Sequence, residues 1–370
     1  MPRTYNIIAK DSVDISDLSD VDVLDLVGRA PVKHDMLIAK QHVEGKKILV
    51  TGAAGSIGSR LVEQLLSLSP QSVTCIDRNE NGIFRLWQKH SQNSLFDFYV
   101  ADVQEESRMK HIFEATEPEI VYHAAAFKHV PLMETNPLEA MNNNVWGTLN
   151  VMNLSGNYGA ESFVYVSTDK AVNPANVMGA TKRIGELLIS ELGSQFPKTK
   201  YSGVRFGNVL QSDGSVMQIF REQIANKKPL TITHPEITRY FMTIDEASQL
   251  IIQAGALANQ SDLFVLDMGE PIKVIDLAKG LIRAVNPNLE IKIIGLRPGE
   301  KMFEELSYAT SKKASTSHPK IFVLTEETGK GVGNHLEWVK KLITLTKNNK
   351  IHESDLVQSL KSHGILKPRE

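Results

Sequence analysis

Ser167, Thr168, Asp169 and Lys170 close the apolar run SFVYVST, and Met178 and Lys182 follow four residues apart in NVMGATKR. A strand that ends in polar residues delivers them to the carboxyl edge of a sheet, where open α/β folds bind ligands. Adjacent Asp and Lys side chains make an acid–base pair when a desolvated cleft splits their pKa values. The i, i+4 spacing puts Met178 and Lys182 on one helical face, directed at the same cleft. Methionine carries no proton. Two outcomes are therefore open: a silent site in which Met178 only packs, or chemistry carried by Asp169, Lys170 and Lys182.

The elements that must position these groups alternate regularly from Lys46 onward. KKILVT, SVTCID, DFYVAD, EIVYHAA, SFVYVST and KYSGVRF read as six successive strands, with helical stretches such as SIGSRLVEQLLSL, EESRMKHIFEAT and NVMGATKRIGELLISEL between them. That rhythm predicts an α/β fold, a Rossmann-type doubly wound parallel sheet, with a smaller mixed α/β C-terminal lobe for the substrate. The expected divisions are an acidic lead-in over 1–45, a dinucleotide-binding domain over 46–209, and a substrate lobe with a polar tail over 210–370. Asp11, Asp14, Asp17, Asp20, Asp22 and Asp25 alternate with apolar residues in the lead-in, which reads as a short helix packed on the main domain.

TGAAGSIG, residues 51–58, sets Gly52, Gly55 and Gly58 between a strand and a helix, with Ser56 and Ile57 opening that helix. Backbone without Cβ atoms turns tightly and approaches a pyrophosphate, and the helix aims unpaired N–H groups at it. The next strand ends at Asp77, nineteen residues beyond Gly58, where a carboxylate accepts from a ribose 2′-hydroxyl and repels a 2′-phosphate. NAD is thus expected rather than NADP, although Arg78 is placed to host that phosphate. The glycine spacing resembles the short-chain dehydrogenase/reductase superfamily, a likeness that makes Asp102, Val103 and the Ala124, Ala125, Ala126 run after His123 further cofactor contacts.

Bulk composition excludes several classes. Across 370 residues, 41 basic side chains face 43 acidic ones, a net charge of −2 that argues against a nucleic-acid surface. The one cysteine, Cys75, lies in an apolar stretch, so there is no disulfide framework and a reducing compartment is expected. No His or Cys spacing suggests a metal. No apolar run approaches the roughly 20 residues that span a bilayer. These features predict a soluble cytoplasmic protein.

STDKAVNPANVMGATKR, VTGAAGSIGS, HAAAFKHVPLME, NNVWGTLNV, VRFGNVLQSDGSV and LRPGEKMFEEL together resemble the UDP-N-acetylglucosamine 4,6-dehydratases, over about Gly28 to Ser307. Many members of that group carry Met where the superfamily has Tyr. The resemblance implies a redox-neutral cycle: hydride leaves C4 for NAD, C5 loses a proton as the C6 hydroxyl departs as water, and hydride returns to C6. It implies Asp169 as acid at the C6 hydroxyl, Lys170 as base and later donor at C5, Thr168 at the C4 oxygen, and Lys182 on the nicotinamide ribose and the C4 proton. Arg205, Arg239 and Arg297 are expected on the substrate diphosphate, with Glu300 beside Arg297. Asn208 and Val209 are expected as substrate contacts through backbone amides, and Lys128 and His129 point to the cleft. The GRAPV lead-in and the AAGSIGS form lean toward retention at C5. A C5-inverting dehydratase, a UDP-sugar 4-epimerase and, more distantly, a silent dinucleotide-binding regulatory protein are the competing readings. A homo-oligomer is expected.

Overall fold

The computed structural model describes residues 36–286, 288–325 and 335–368; most of the acidic lead-in lies outside them. A helix, α1 (Leu37–Val43), leads into β1 (Lys47–Thr51). Alternation then runs through α2 (Ser56–Leu66), β2 (Ser72–Asp77), α3 (Glu80–His90), β3 (Phe96–Val100), α4 (Glu106–Thr116) and β4 (Ile120–His123). Short helices α5 (Val130–Thr135) and α6 (Pro137–Ala140) pass through a π-helical turn at Met141–Trp146 into α7 (Gly147–Asn157). β5 (Ser162–Val166), α8 (Val177–Gln195) and β6 (Lys200–Arg205) complete the expected six strands.

The rest of the chain comprises β7 (Asn208–Val209), α9 (Val216–Ala225), β8 (Leu230–Ile232), β9 (Thr238–Arg239), β10 (Phe241–Met242), α10 (Ile244–Leu257) and β11 (Asp262–Leu266). After these come β12 (Ile272–Lys273), α11 (Val274–Val285), β13 (Ile291–Ile293), β14 (Lys312–Ser315), β15 (Ile321–Thr325), α12 (His335–Lys347) and α13 (Glu353–Ser362).

Among the described residues the main sheet has nine strands in the order β14-β15-β11-β6-β5-β4-β1-β2-β3. Pairing is parallel from β3 to β11, and β15 runs antiparallel between β11 and β14. The strand order reverses at β1, which lies between β2 and β4. A crevice opens there at the carboxyl ends, and residues that directly follow β1, β4 and β5, among them Gly52, Ala124 and Ser167, line it. Central strands buried on both faces read as continuous apolar runs. Ile48, Leu49 and Val50 of β1 are each at most 1% exposed, a burial worth about 1.5–3 kcal/mol per side chain.

Two apolar layers cover the sheet. One, with Leu61, Val62, Leu250 and Ile251, sits under α2 and α10; the other, with Phe113, Leu149, Ile184 and Leu188, sits under α4, α7 and α8. The segment beyond Val209 does two jobs. It builds a small lobe around Phe220, Leu230 and Leu281, and it also returns β11, β15 and β14 to the main sheet. Nor is the chain's end a loose tail: Leu342, Ile343, Leu356 and Leu360 of α12 and α13 join the second layer.

Candidate active site

The dinucleotide turn is built by exclusion. Gly52 has φ of +67°, and a Cβ there would lie 2.5 Å from the Ala125 nitrogen, so the turn can press against the end of β4 only without a side chain. Asp77 braces the same turn: Oδ2 accepts from the Ala54 amide at 3.0 Å and Oδ1 from the Asn79 amide at 2.8 Å. Arg78 lies 3.2 Å from Asp102 and stacks over the Phe127 ring at 4.4 Å. A small recess lined by Gly52, Gly55, Asp77, Asp102, Val103 and Ala124 opens onto this turn, and Ala125 and Ala126 share it. Recess, glycine turn and helix N-terminus together suit an adenosine diphosphate moiety. His123 beneath them is structural: it bonds Thr51 Oγ1 at 2.7 Å and Thr148 Oγ1 at 2.9 Å, and burial, with Lys182 adding to it, lowers its pKa to about 3.

Beside the recess lies a cavity of about 490 Å³. Ser56, Ile57, Gly58, Lys128, His129, Thr168, Lys170, Met178, Lys182, Asn208 and Val209 all contribute to its wall. α8 supplies two of them because Asn176 caps its start, accepting from the Gly179 amide at 2.7 Å while donating to the Gly299 carbonyl at 3.0 Å. Met178 sits in an apolar cluster with Met133, Ala140 and Val177. Lys182 is 5% exposed, with Nζ 4.0 Å from the centre of the Tyr165 ring. Burial lowers its pKa to about 7 against the opposing pull of Glu186, so near neutrality its amine is a base as well as a donor.

Lys170 is held in the opposite state. Burial would lower its pKa, but the Asp169 carboxylate first and Glu304, in its ionised form, second outweigh that and raise it. Its Nζ donates to Asp169 Oδ1 at 2.9 Å and lies 3.7 Å from Glu304 Oε1. Thr168 Oγ1 donates to the same Asp169 oxygen at 2.9 Å. Asp169 itself is fully buried and stands behind Thr168 and Lys170 rather than on the cavity wall. Lys128 and His129 both have lowered pKa values, through burial first.

A family model described as "Polysaccharide biosynthesis protein" matches residues 48–326. The chain belongs to that family. It is 46% identical over 346 residues to the "Probable polysaccharide biosynthesis protein EpsC" of Bacillus subtilis, a match covering 92% of this chain and 56% of that protein. The chain thus spans little more than half the length of that relative. It is 37% identical to a UDP-glucose 4-epimerase of Rickettsia rickettsii (70% of this chain, 77% of the relative). It is 33% identical to the "UDP-N-acetylglucosamine 4,6-dehydratase (inverting)" of Campylobacter jejuni, again over 70% and 77%. Among solved structures, Pen from Bacillus thuringiensis superposes with a TM-score of 0.72 at 29% identity, covering 82% of this chain and 99% of that one. Relatives of this chain thus include proteins named as a nucleotide-sugar epimerase and a nucleotide-sugar dehydratase, and its sheet is Rossmann-like.

The family's fold gathers most of the expected site residues but reassigns the arginines. Arg205 is wholly buried beneath the sheet edge, where Nε and Nη2 each donate to Glu186 at 2.6 Å. It is committed to an internal carboxylate and does not reach the cavity. Arg239 is 7% exposed and gives its donors to the carbonyls of Thr238, Lys301 and Met302 and to Glu300. It fastens the LRPGEK loop. Glu300 is spent on the same loop, accepting from Thr233 and from the Arg297 amide. Arg297 is exposed and contributes nothing to the cavity wall. The Asn208 amide pairs with the Tyr240 carbonyl at 2.9 Å, so the backbone contact expected there is already used; its side-chain Oδ1 is the buried acceptor left open.

Three contributors were not anticipated. Glu304 Oε1 lies 3.7 Å from Lys170 Nζ. Asp213 shares two hydrogen bonds with Ser56 across the cavity mouth. Asn144, in the π-helical turn, holds Phe127 through its amide and carbonyl and also binds Thr181. Glu186, one turn after Lys182, was readable as an i, i+4 neighbour; Glu304 and Asp213 meet the site only through tertiary packing.

Proposed function

We propose that the protein dehydrates a UDP-linked N-acetylglucosamine at C4 to C6, giving the 4-keto-6-deoxy sugar nucleotide with NAD regenerated. The observation that carries this reading is the Thr168–Asp169–Lys170 cluster beside Lys182. Epimerisation at C4 needs one group that takes and returns the C4 hydroxyl proton, a task Lys182 can perform alone. It breaks no C–O bond. Elimination of water across C5 and C6 needs a further base and acid a few ångströms away, and the cavity wall carries that second set.

Asp77 at the strand end, with Arg78 committed to Asp102 and Phe127, supports NAD rather than NADP as the dinucleotide. When bound, NAD supplies the acceptance of hydride from C4 and its return to C6. This chain's residues do the rest. Lys182, with a pKa near 7, takes the C4 hydroxyl proton in place of the missing tyrosine, and Thr168 Oγ1 holds the C4 oxygen. Lys170 removes the C5 proton and returns a proton to C5 at the end of the cycle, once hydride has reached C6. Asp169, hydrogen-bonded to Thr168 and Lys170, supplies through them the proton that leaves with the C6 hydroxyl. Met178 keeps this wall apolar, so that water does not compete for the intermediate. Arg297, on its exposed loop, is the arginine left to meet the substrate diphosphate.

A 4-epimerase is the second reading, favoured by the 37% identity to the Rickettsia enzyme. Incubation with UDP-N-acetylglucosamine and catalytic NAD separates the two. The proposal expects a product lighter by one water, with NMR at C5 reporting retention or inversion; an isomer of unchanged mass, inverted at C4, refutes it.

A further inference from the structure

Glu304 has no role in the chemistry described so far, yet it is one of four buried acids among the described residues, 8% exposed. Its Oε1 lies 3.7 Å from Lys170 Nζ, while Oε2 is buried and accepts no hydrogen bond among the described residues. The charged groups that face it are Lys170, Asp169, Arg239 and Lys301. Neither of the last two is directed to it: Arg239 is bonded to loop carbonyls and Glu300, and Lys301 donates to the Val172 carbonyl at 2.8 Å and lies 3.9 Å from Glu305.

With Arg239 and Lys301 bonded elsewhere, two carboxylates share one ammonium in a largely buried pocket, and the excess negative charge is penalised there. The least costly relief is one more proton, and Glu304 is the group placed to take it. Asp169 keeps two donors on Oδ1, whereas Glu304 has only the looser contact with Lys170. Burial, reinforced by the Asp169 carboxylate, raises the Glu304 pKa despite Lys170, Arg239 and Lys301.

We propose that Glu304 is a positioning residue that works as the neutral acid, steadying Lys170 without pinning it as a cation, so that Asp169 and Lys170 share a single proton. This rests on the dehydratase reading. With Glu304 neutral, the proton on Lys170 crosses the 2.9 Å bond to Asp169 Oδ1, no net charge is created, and the pair becomes the free amine and carboxylic acid that elimination requires. With Glu304 ionised, the ammonium is clamped between two anions and the amine is withheld.

The test pairs infrared titration with pH profiles of E304Q and E304A. Difference spectra of the parent are expected to show the C=O stretch of a protonated carboxyl at neutral pH, absent in E304Q. Turnover of UDP-N-acetylglucosamine by E304Q should persist with its alkaline limb moved to higher pH, gaining about tenfold over the parent for each pH unit of displacement. E304A, which leaves Lys170 unsteadied, should lose kcat far more than KM. Two results overturn the inference: parent and E304Q spectra without a difference in that band, or an alkaline limb that moves down in E304Q, as loss of a supporting anion would cause. If the band is present but the parent removes no water, the dehydratase reading fails while the protonation of Glu304 stands.

Discussion

Replacing Lys182 by Met removes a buried amine and keeps its length and apolar stem. The amine's pKa falls from 10.5 to about 7 in the folded chain, through burial. A lysine whose pKa is depressed on folding binds a proton in the unfolded chain that it lacks in the native one, so its presence destabilises most below about pH 7 and ceases to do so as pH rises past the unfolded value near 10.4. One pKa unit corresponds to about 1.4 kcal/mol. The parent should therefore gain about 2 kcal/mol on K182M between about pH 7 and pH 9, after allowance for partial titration at the lower end. The lost contact with the Tyr165 ring offsets the two proteins by an amount that does not vary in the same way. Urea unfolding of both at the two pH values reads this as a change in the gap between their midpoints. Parallel pH dependence would refute the reasoning, since it would mean that Lys182 is solvated and charged, and the proposed base at the C4 hydroxyl would be lost with it. The same pKa predicts that turnover of the parent climbs as pH passes about 7, where the free amine forms.

Three further substitutions probe other parts of the site. K170A should abolish water loss while NAD binding, followed by fluorescence or calorimetry, stays within a few-fold of the parent; a near-normal rate would remove Lys170 from the chemistry. R205A should lower stability by about 3 kcal/mol, the low end for breaking a buried ion pair, because Glu186 keeps Ser167 and Arg183 as donors, and a thermal melt should show this; an effect on substrate KM alone would restore Arg205 to the diphosphate. G52A should prevent dinucleotide binding, since the added Cβ would sit 2.5 Å from the Ala125 nitrogen, and unaltered NAD affinity would mean that the turn is not the cradle.

The six strands were legible because a buried parallel strand writes itself as a short apolar run that stops at polar residues or glycine: Asp77 ends β2, and Gly52 and Ser167 directly follow β1 and β5. TGAAGSIG was legible for a related reason, as the glycine at 52 answers a steric demand local to the turn and the strand beside it. Partners across the fold were not. Whether a basic residue at a strand end meets a ligand or a carboxylate depends on which way its strand faces, and nothing in KYSGVRF shows that Arg205 points at Glu186. Arg239 likewise reads as a phosphate ligand until the LRPGEK loop is seen folded over it. The segment beyond Val209 escaped because β11 and β15 join the sheet next to a strand more than fifty residues earlier; their pairing is decided by the sheet's open edge at β6. Glu304 was invisible for the same reason, since its significance lies in one distance to Lys170.

The most direct test of the account is to supply UDP-N-acetylglucosamine carrying deuterium at C4, with catalytic NAD, and to locate the label in the product. Dehydration by the proposed route predicts a product lighter by one water, with the deuterium moved from C4 to C6 and no net reduction of the dinucleotide. Deuterium recovered at C4 of an unchanged or inverted hexose, with the C6 hydroxyl intact, would contradict it and leave the Thr168–Asp169–Lys170 cluster without its proposed reaction.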